Sequence, residues 1–181
     1  MSKWSSYYED KMTLESDSRF RMKYEFFINF LNSVAVGPTS SEWGCGTAII
    51  TKILNEKGRF KKHVVMDNDE DMLDLARENV QQLESCLMFS NDIREPFAAA
   101  EASLAHSHGV LEHYGDNEIR AIVKNMKACS RFVACYVPSH KYTYKSFGDE
   151  RLMSPAQWYD ICQPRHIHEF NGGKDLILTW Y

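Results

Sequence analysis

The chain is short of positive charge. Its 181 residues hold 21 Lys and Arg against 25 Asp and Glu, a formal net charge of −4. Binding nucleic acid or an anionic membrane surface by charge alone needs a basic face, so neither partner is expected. Long apolar runs are absent too, and the opening Met1-Ser2-Lys3-Trp4 carries no signal-like apolar stretch. A membrane span needs about 20 apolar residues, so no span is expected and a cytoplasmic location is. Cysteine is sparse and unpatterned. Cys45, Cys86, Cys129, Cys135 and Cys162 are odd in number and show no C-x-x-C spacing. That excludes a disulfide framework or a zinc knuckle and leaves buried free thiols.

What remains is the composition of a globular protein, 44% hydrophobic and 13% aromatic. At this length residues 1–181 read as a single domain with a substantial core. Residues 1–16 are polar with aromatics (Trp4, Tyr7, Tyr8) and show no clean period. Phe20, Met22, Tyr24, Phe27, Ile28 and Leu31 follow with the spacing of a one-sided helix that ends before Gly37-Pro38.

Beyond this point strands and helices alternate. Thr39-Ser40-Ser41 leads into Glu42-Trp43-Gly44-Cys45-Gly46-Thr47-Ala48, a strand, a glycine turn and a helix start. Glycines suit a sharp strand-to-helix turn against which a ligand can lie on bare backbone. The new helix offers unpaired N–H groups and the positive end of its dipole to that ligand. Lys62-His63-Val64-Val65-Met66-Asp67 is a second strand whose terminal acid stands 21 positions after Gly46. An acid at that distance can accept both hydroxyls of a ribose, which makes the pair a pocket for an adenosine-containing cofactor.

Further strands are expected at Cys86–Phe89, Ala102–Ser107 and Arg131–Val137, with helices from Asp69, from Asn117 to Ala128 and from Ser154-Pro155. A hairpin about Asn171-Gly172-Gly173 closes the chain. Such alternation gives a mainly parallel sheet with helices on both faces, and ligands bind at the C-terminal edge of its strands. Asp67, Asp92 and His108 all fall there.

These motifs together resemble the class I S-adenosylmethionine-dependent methyltransferases of small-molecule type, over roughly residues 40–138. The glycine turn is similar to the family's acid-x-Gly-x-Gly-x-Gly motif, with Ala48 at the third glycine. Val65–Leu73 resembles its ribose motif, Asn91-Asp92-Ile93-Arg94 its adenine loop, and Ser107–His113 the end of its fourth strand. The resemblance implies a Rossmann-like α/β fold: a seven-stranded, mostly parallel sheet with helices on both faces and a C-terminal antiparallel hairpin. It implies S-adenosylmethionine as cofactor, S-adenosylhomocysteine as product and a small-molecule acceptor.

Carried over residue by residue, Gly44, Cys45 and Gly46 supply backbone contacts to methionine and ribose, and Asp67 holds the ribose hydroxyls. Asn68 and Met72 flank the adenine, Asp92 and Ile93 meet its edge, and Ser107 and His108 approach the methionine end. Glu42 acts indirectly, orienting the turn or the cofactor's amino group. Arg21 is read as a solvated helix position rather than a carboxylate partner.

Methyl transfer needs a base only when the acceptor must lose a proton. His113 is the candidate, with His108 and Tyr114 nearby. His106 and His108 share a strand face, but no third ligand is spaced to complete a metal site. Acceptor selection falls to residues 1–20 and 139–153, including Tyr142, Tyr144 and Phe147. Two polar central strands, Ser40-Ser41 and Ala102–His106, depart from the pattern and predict a thinner core or specialised packing there.

Three rivals are weighed. A nicotinamide oxidoreductase wants glycine where Ile49 stands. A nucleic-acid methyltransferase wants Asn/Asp-Pro-Pro-aromatic where Ser107-His108-Gly109-Val110 stands. A catalytically silent module of the same fold would bind the cofactor, or a partner protein, without turnover.

Overall fold

The structure, a computed structural model, describes residues 4, 8, 14–34, 37–143 and 149–181. Helix α1 (Leu14–Ser33) precedes strand β1 (Thr39–Trp43), then α2 (Ile49–Glu56), β2 (Lys62–Asp67), α3 (Glu70–Val80) and β3 (Cys86–Ser90). Strand β4 (Ala102–His108), helix α4 (Asp116–Cys129), strand β5 (Ser130–Pro138) and helix α5 (Pro155–Cys162) follow. Strands β6 (His166–Phe170) and β7 (Asp175–Trp180) complete one seven-stranded sheet in the order β3-β2-β1-β4-β5-β7-β6. The first five strands pair in parallel, and β7 runs antiparallel between β5 and β6. This is the mostly parallel, Rossmann-like sheet with a terminal antiparallel pair. Its topological switch lies between β1 and β4, where the chain winds outward in opposite directions and opens a crevice above the strand ends.

Alternating side chains divide the core between the two faces. On one face Phe27, Ile28 and Leu31 of α1 and Ile50, Ile53 and Leu54 of α2 pack on Leu104, Ala134, Tyr136 and Ile177. On the other, Ile119, Ile122 and Met126 of α4 and Trp158 of α5 cover Trp43, Ala105, Val133, Cys135 and Leu178. Trp43 and Trp158 are wholly buried, and each such side chain contributes about 1.5–3 kcal/mol of burial. Helix α3 is started by Asp69, whose carboxylate accepts from Met72 N at 3.3 Å, and α5 by a Ser154–Gln157 capping box.

The polar central strands are not thinly packed. Ser40 Oγ lies 2.8 Å from His63 Nδ1, and Thr39 Oγ1 lies 2.9 Å from Ser103 Oγ. Trp43 Nε1 donates to Ser41 Oγ at 3.0 Å. The expectation resolves in part as specialised packing: these polar groups answer one another, which offsets the cost of burying them alone. By contrast, both ring nitrogens of wholly buried His106, Ser107 Oγ and His63 Nε2 have no hydrogen-bond partner among the described residues. Among the described residues no helix is long and apolar enough to cross a membrane.

Candidate functional site

Strand β1 turns into α2 through three left-handed residues, Gly44 (φ 68°), Gly46 (φ 53°) and Ala48 (φ 54°). Glycine is needed at the first of these. A Cβ on Gly44 would stand 2.9 Å from Val110 Cγ2, whereas one on Gly46 would meet only Met72 Cε, at 3.6 Å. The turn is held by Cys45 N donating to Met66 O at 2.9 Å and Ala48 N donating to Cys45 O at 2.7 Å. Glu42, 2% exposed, anchors α2: its Oε2 accepts from Thr51 N at 3.1 Å and Thr51 Oγ1 at 2.6 Å. Burial raises the Glu42 pKa to about 7, against the lowering effect of the Thr51 bonds. Burial, with Glu42 and Asp67 adding to it, lifts the Cys45 thiol well above its ordinary range, so it stays protonated and is no nucleophile.

Asp67 ends β2 beside this turn. Its Oδ2 accepts from Gly46 N at 2.8 Å and its Oδ1 from Asp69 N at 3.1 Å. Burial raises its pKa while those two donors lower it. One carboxylate thus ties the glycine turn to the second strand, with lone pairs left toward the cleft.

The cleft above the strand ends has a volume of about 820 Å³. Glu42, Gly44, Cys45, Gly46, Asp67, Asn68, Met72, Ile93, His108 and His113 all line it. Asp92 and Ser107 do not. Asp92 lies beyond β3, where its carboxylate is captured by Arg94 Nη2 at 2.6 Å and Nε at 3.0 Å and is held below the usual carboxylate range. Local turn chemistry thus occupies part of the Asp92 carboxylate. Ser107 is wholly buried inside β4, in register with Cys135, and points into the core rather than the cleft.

His113 sits on a single 3-10 turn, Leu111–His113, that follows β4. Its Nδ1 lies 2.6 Å from Asp149 Oδ1, and the Trp4 ring meets it edge-on at 5.0 Å. The segment carrying Asp149 is pinned by Arg151, whose N donates to Glu112 O at 2.9 Å and whose Nη1 donates to Tyr114 O at 2.6 Å. Glu112 itself is 2% exposed, and burial, with Glu150 and Asp149 adding, pushes its pKa up to about 8.

His108 is stacked on Tyr136 at 4.5 Å and touched edge-on by Tyr24 at 4.2 Å. Burial drives its pKa down to about 3, with Lys23 opposing protonation, so the ring is neutral. The same holds for wholly buried His106, also near 3, and no cluster among the described residues can hold a metal ion. Behind His108, Tyr136 and Tyr142 both donate to Asp175 Oδ1 at 2.7 Å.

Arg19, Phe20 and Asp149 fall within the expected acceptor segments 1–20 and 139–153 without having been singled out, and sequence reasoning missed Lys23 and Tyr24, which line the cleft from α1. A signal existed. Phe20 and Tyr24 are four apart in the apolar stripe, and Arg19 and Lys23 each precede one of them. Arg21 faces away and pairs with Glu56 at 2.7 Å. Trp4, Tyr8 and Tyr142 belong to the two expected acceptor segments, and Trp4 and Tyr8 line the cleft. Tyr7, Tyr144 and Phe147 lie outside the described residues.

The profile of the methyltransferase domain matches residues 41–131, half of the chain, from β1 through α4. The chain belongs to the methyltransferase domain family. No curated protein matches the sequence of this methyltransferase domain. Among solved structures it resembles the pyocyanin biosynthetic protein PhzM, with a TM-score of 0.71 at 12% identity over 98% of this chain. It spans 61% of the PhzM chain. The DhpI–S-adenosylhomocysteine complex gives 0.71 at 16% identity, covering 97% of this chain and 93% of that one. The putative methyltransferase bound to the Haloferax volcanii Trm112 activator gives 0.74 at 12% identity, covering 99% and 97%. These likenesses are of fold.

Proposed function

We propose that this methyltransferase binds S-adenosylmethionine in the 820 Å³ cleft and methylates a small-molecule acceptor there. The observation that carries the reading is the junction of Asp67 with the glycine turn. Both Asp67 oxygens keep an acceptor site after their backbone bonds, as two ribose hydroxyls require. The turn beside them presents backbone with nothing over Gly46 but the flexible tip of Met72. These residues fit the cofactor, and family membership and the S-adenosylhomocysteine held by the DhpI fold support it.

In this reading Gly44, Cys45 and Gly46 hold the methionine and ribose portions, Asp67 the ribose, and Asn68, Met72 and Ile93 the adenine. Glu42 holds α2 in place through Thr51. The cofactor, when bound, supplies an activated methyl group on a sulfonium. The chain's own work is to fix the acceptor in line and keep water out. His113 is the base for an acceptor that must shed a proton, with Asp149 on Nδ1 setting the tautomer that leaves Nε2 free to accept.

Calorimetric titration with S-adenosylmethionine, S-adenosylhomocysteine and NAD tests the reading. Micromolar binding of the first two and none of NAD is expected. Failure of both sulfur compounds to bind the folded protein would refute it.

A further inference from the structure

One side of the cleft is made of rings. Phe20 and Tyr24 come from α1, His108 from the end of β4, His113 and Tyr114 from the turn after it, and Trp4 from near the N-terminus. Tyr24 stands 4.6 Å from Phe20 in a tilted contact and 4.2 Å from His108 edge to face, so these walls are fixed against each other. Rings in such offset and edge-on arrangements receive another flat ring better than an irregular aliphatic body.

Two polar features accompany the rings. The first is His113, oriented by Asp149 and placed in the lining. The second is Lys23, whose Nζ lies 4.8 Å from the Tyr24 ring centre and which lines the same cleft. Among the described residues, the carboxylates in the lining are Glu42, Asp67 and Asp69, all from the β1 and β2 side. The ring side therefore carries two cations, Lys23 and Arg19 of α1, and no lining carboxylate.

Each feature narrows the acceptor. A protonated amine would meet Lys23 with like charge. An alkyl alcohol holds its proton too tightly for an imidazole, whereas a phenol, with a pKa near 10 as in tyrosine, is within reach. A negatively charged substituent finds Lys23.

We infer that the acceptor is a planar hydroxyaromatic acid, its ring packed on the touching Phe20–Tyr24 pair toward Trp4, its hydroxyl at His113 and its carboxylate at Lys23. This rests on the methyl-transfer reading above. The phenolic proton passes to His113 Nε2, the oxygen lone pair forms the new O–CH3 bond, and the electron pair of the broken C–S bond remains on sulfur. The imidazolium then returns its proton to solvent.

The test begins with protein saturated with S-adenosylhomocysteine, its binding measured by calorimetry. That complex is titrated with hydroxybenzoates and hydroxycinnamates, their methyl esters, and 4-hydroxycyclohexanecarboxylate. At least one aromatic acid should bind about tenfold tighter than its ester, as expected for a charge-assisted contact. The saturated-ring analogue should bind far more weakly. Lys23→Gln should cut the difference between acid and ester severalfold, Arg19 supplying the charge that remains, and Lys23→Arg should retain it, with affinity for S-adenosylhomocysteine preserved in both. Equal binding of acid and ester, equal binding of the saturated ring, or no binding of any aromatic acid to the loaded protein would overturn the inference. Failure of S-adenosylhomocysteine itself to bind would overturn the parent reading along with it.

Discussion

Replacing Asp67 by alanine strikes two structures at once. The carboxylate holds Gly46 N at 2.8 Å and Asp69 N at 3.1 Å, so its loss loosens the turn and the start of α3. Removing two charge-assisted bonds costs about 1.5–3 kcal/mol each before compensation. The compensation is sizeable, because burial already penalises the charge on Asp67 and raises its pKa. Water from the cleft can also reach the freed Gly46 N–H. The net loss of stability should be about 1–3 kcal/mol, which leaves a folded variant. Affinity for S-adenosylhomocysteine should fall further, by at least about tenfold for one lost hydroxyl contact and about a hundredfold or more for two. A cofactor analogue without the ribose 2′-hydroxyl separates the two effects. Loosening of the turn would weaken both ligands equally, whereas loss of the ribose contact should cost the intact ligand more. Calorimetry on wild type and variant with both ligands closes this cycle, and urea unfolding reports the stability. An unchanged dissociation constant in the folded variant, or an equal loss for both ligands, would remove Asp67 from the ribose site.

Gly44→Ala and Gly46→Ala should differ although both positions are left-handed. Strain of about 1–2 kcal/mol applies to each, but only at position 44 does the new methyl meet Val110 at 2.9 Å, so Gly44→Ala should cost about 2–4 kcal/mol in urea unfolding. Equal losses would deny that Val110 closes on the turn. For Glu112 the folded pKa of about 8 stands above the ordinary 4.5. Its stabilising share is therefore complete below pH 4.5 and lost as pH rises through 8, about 3–5 kcal/mol in all. Glu112→Gln has no such proton to lose and should gain on wild type between pH 5 and pH 9. Unfolding curves that stay parallel across that window would show the carboxyl to be solvated.

The half of the site built on the glycine turn was legible because it follows from local sequence. Gly44, Gly46 and Asp67 belong to one strand–turn–helix–strand unit, and the turn itself demands residues free to adopt positive φ. Two of the expected residues lie outside the cleft lining because another local rule places them: Arg94, two positions on, pairs with Asp92, and the alternation of β4 turns Ser107 into the core while His108 faces the other way. The buried polar strands were misleading for a different reason. Ser40 is answered by His63 and Thr39 by Ser103, 23 and 64 positions away, and no periodicity reveals such partners before the strand register is known.

The ring-lined side of the cleft shares that difficulty in stronger form. It gathers Trp4, α1, the turn after β4 and Asp149 from across the chain, and its hydrogen-bonded pair, His113 and Asp149, is separated by 36 positions. Each of these segments, taken alone, reads as a helix face or a polar loop, since no single one contains both a base and the carboxylate that orients it. A fold that keeps its cofactor unit local and assembles its acceptor wall from distant pieces can exchange the second without disturbing the first. On the function proposed above, selectivity would sit on α1 and at Asp149, where Lys23 and Asp149 can be changed while the Asp67–Gly46 bond stays intact.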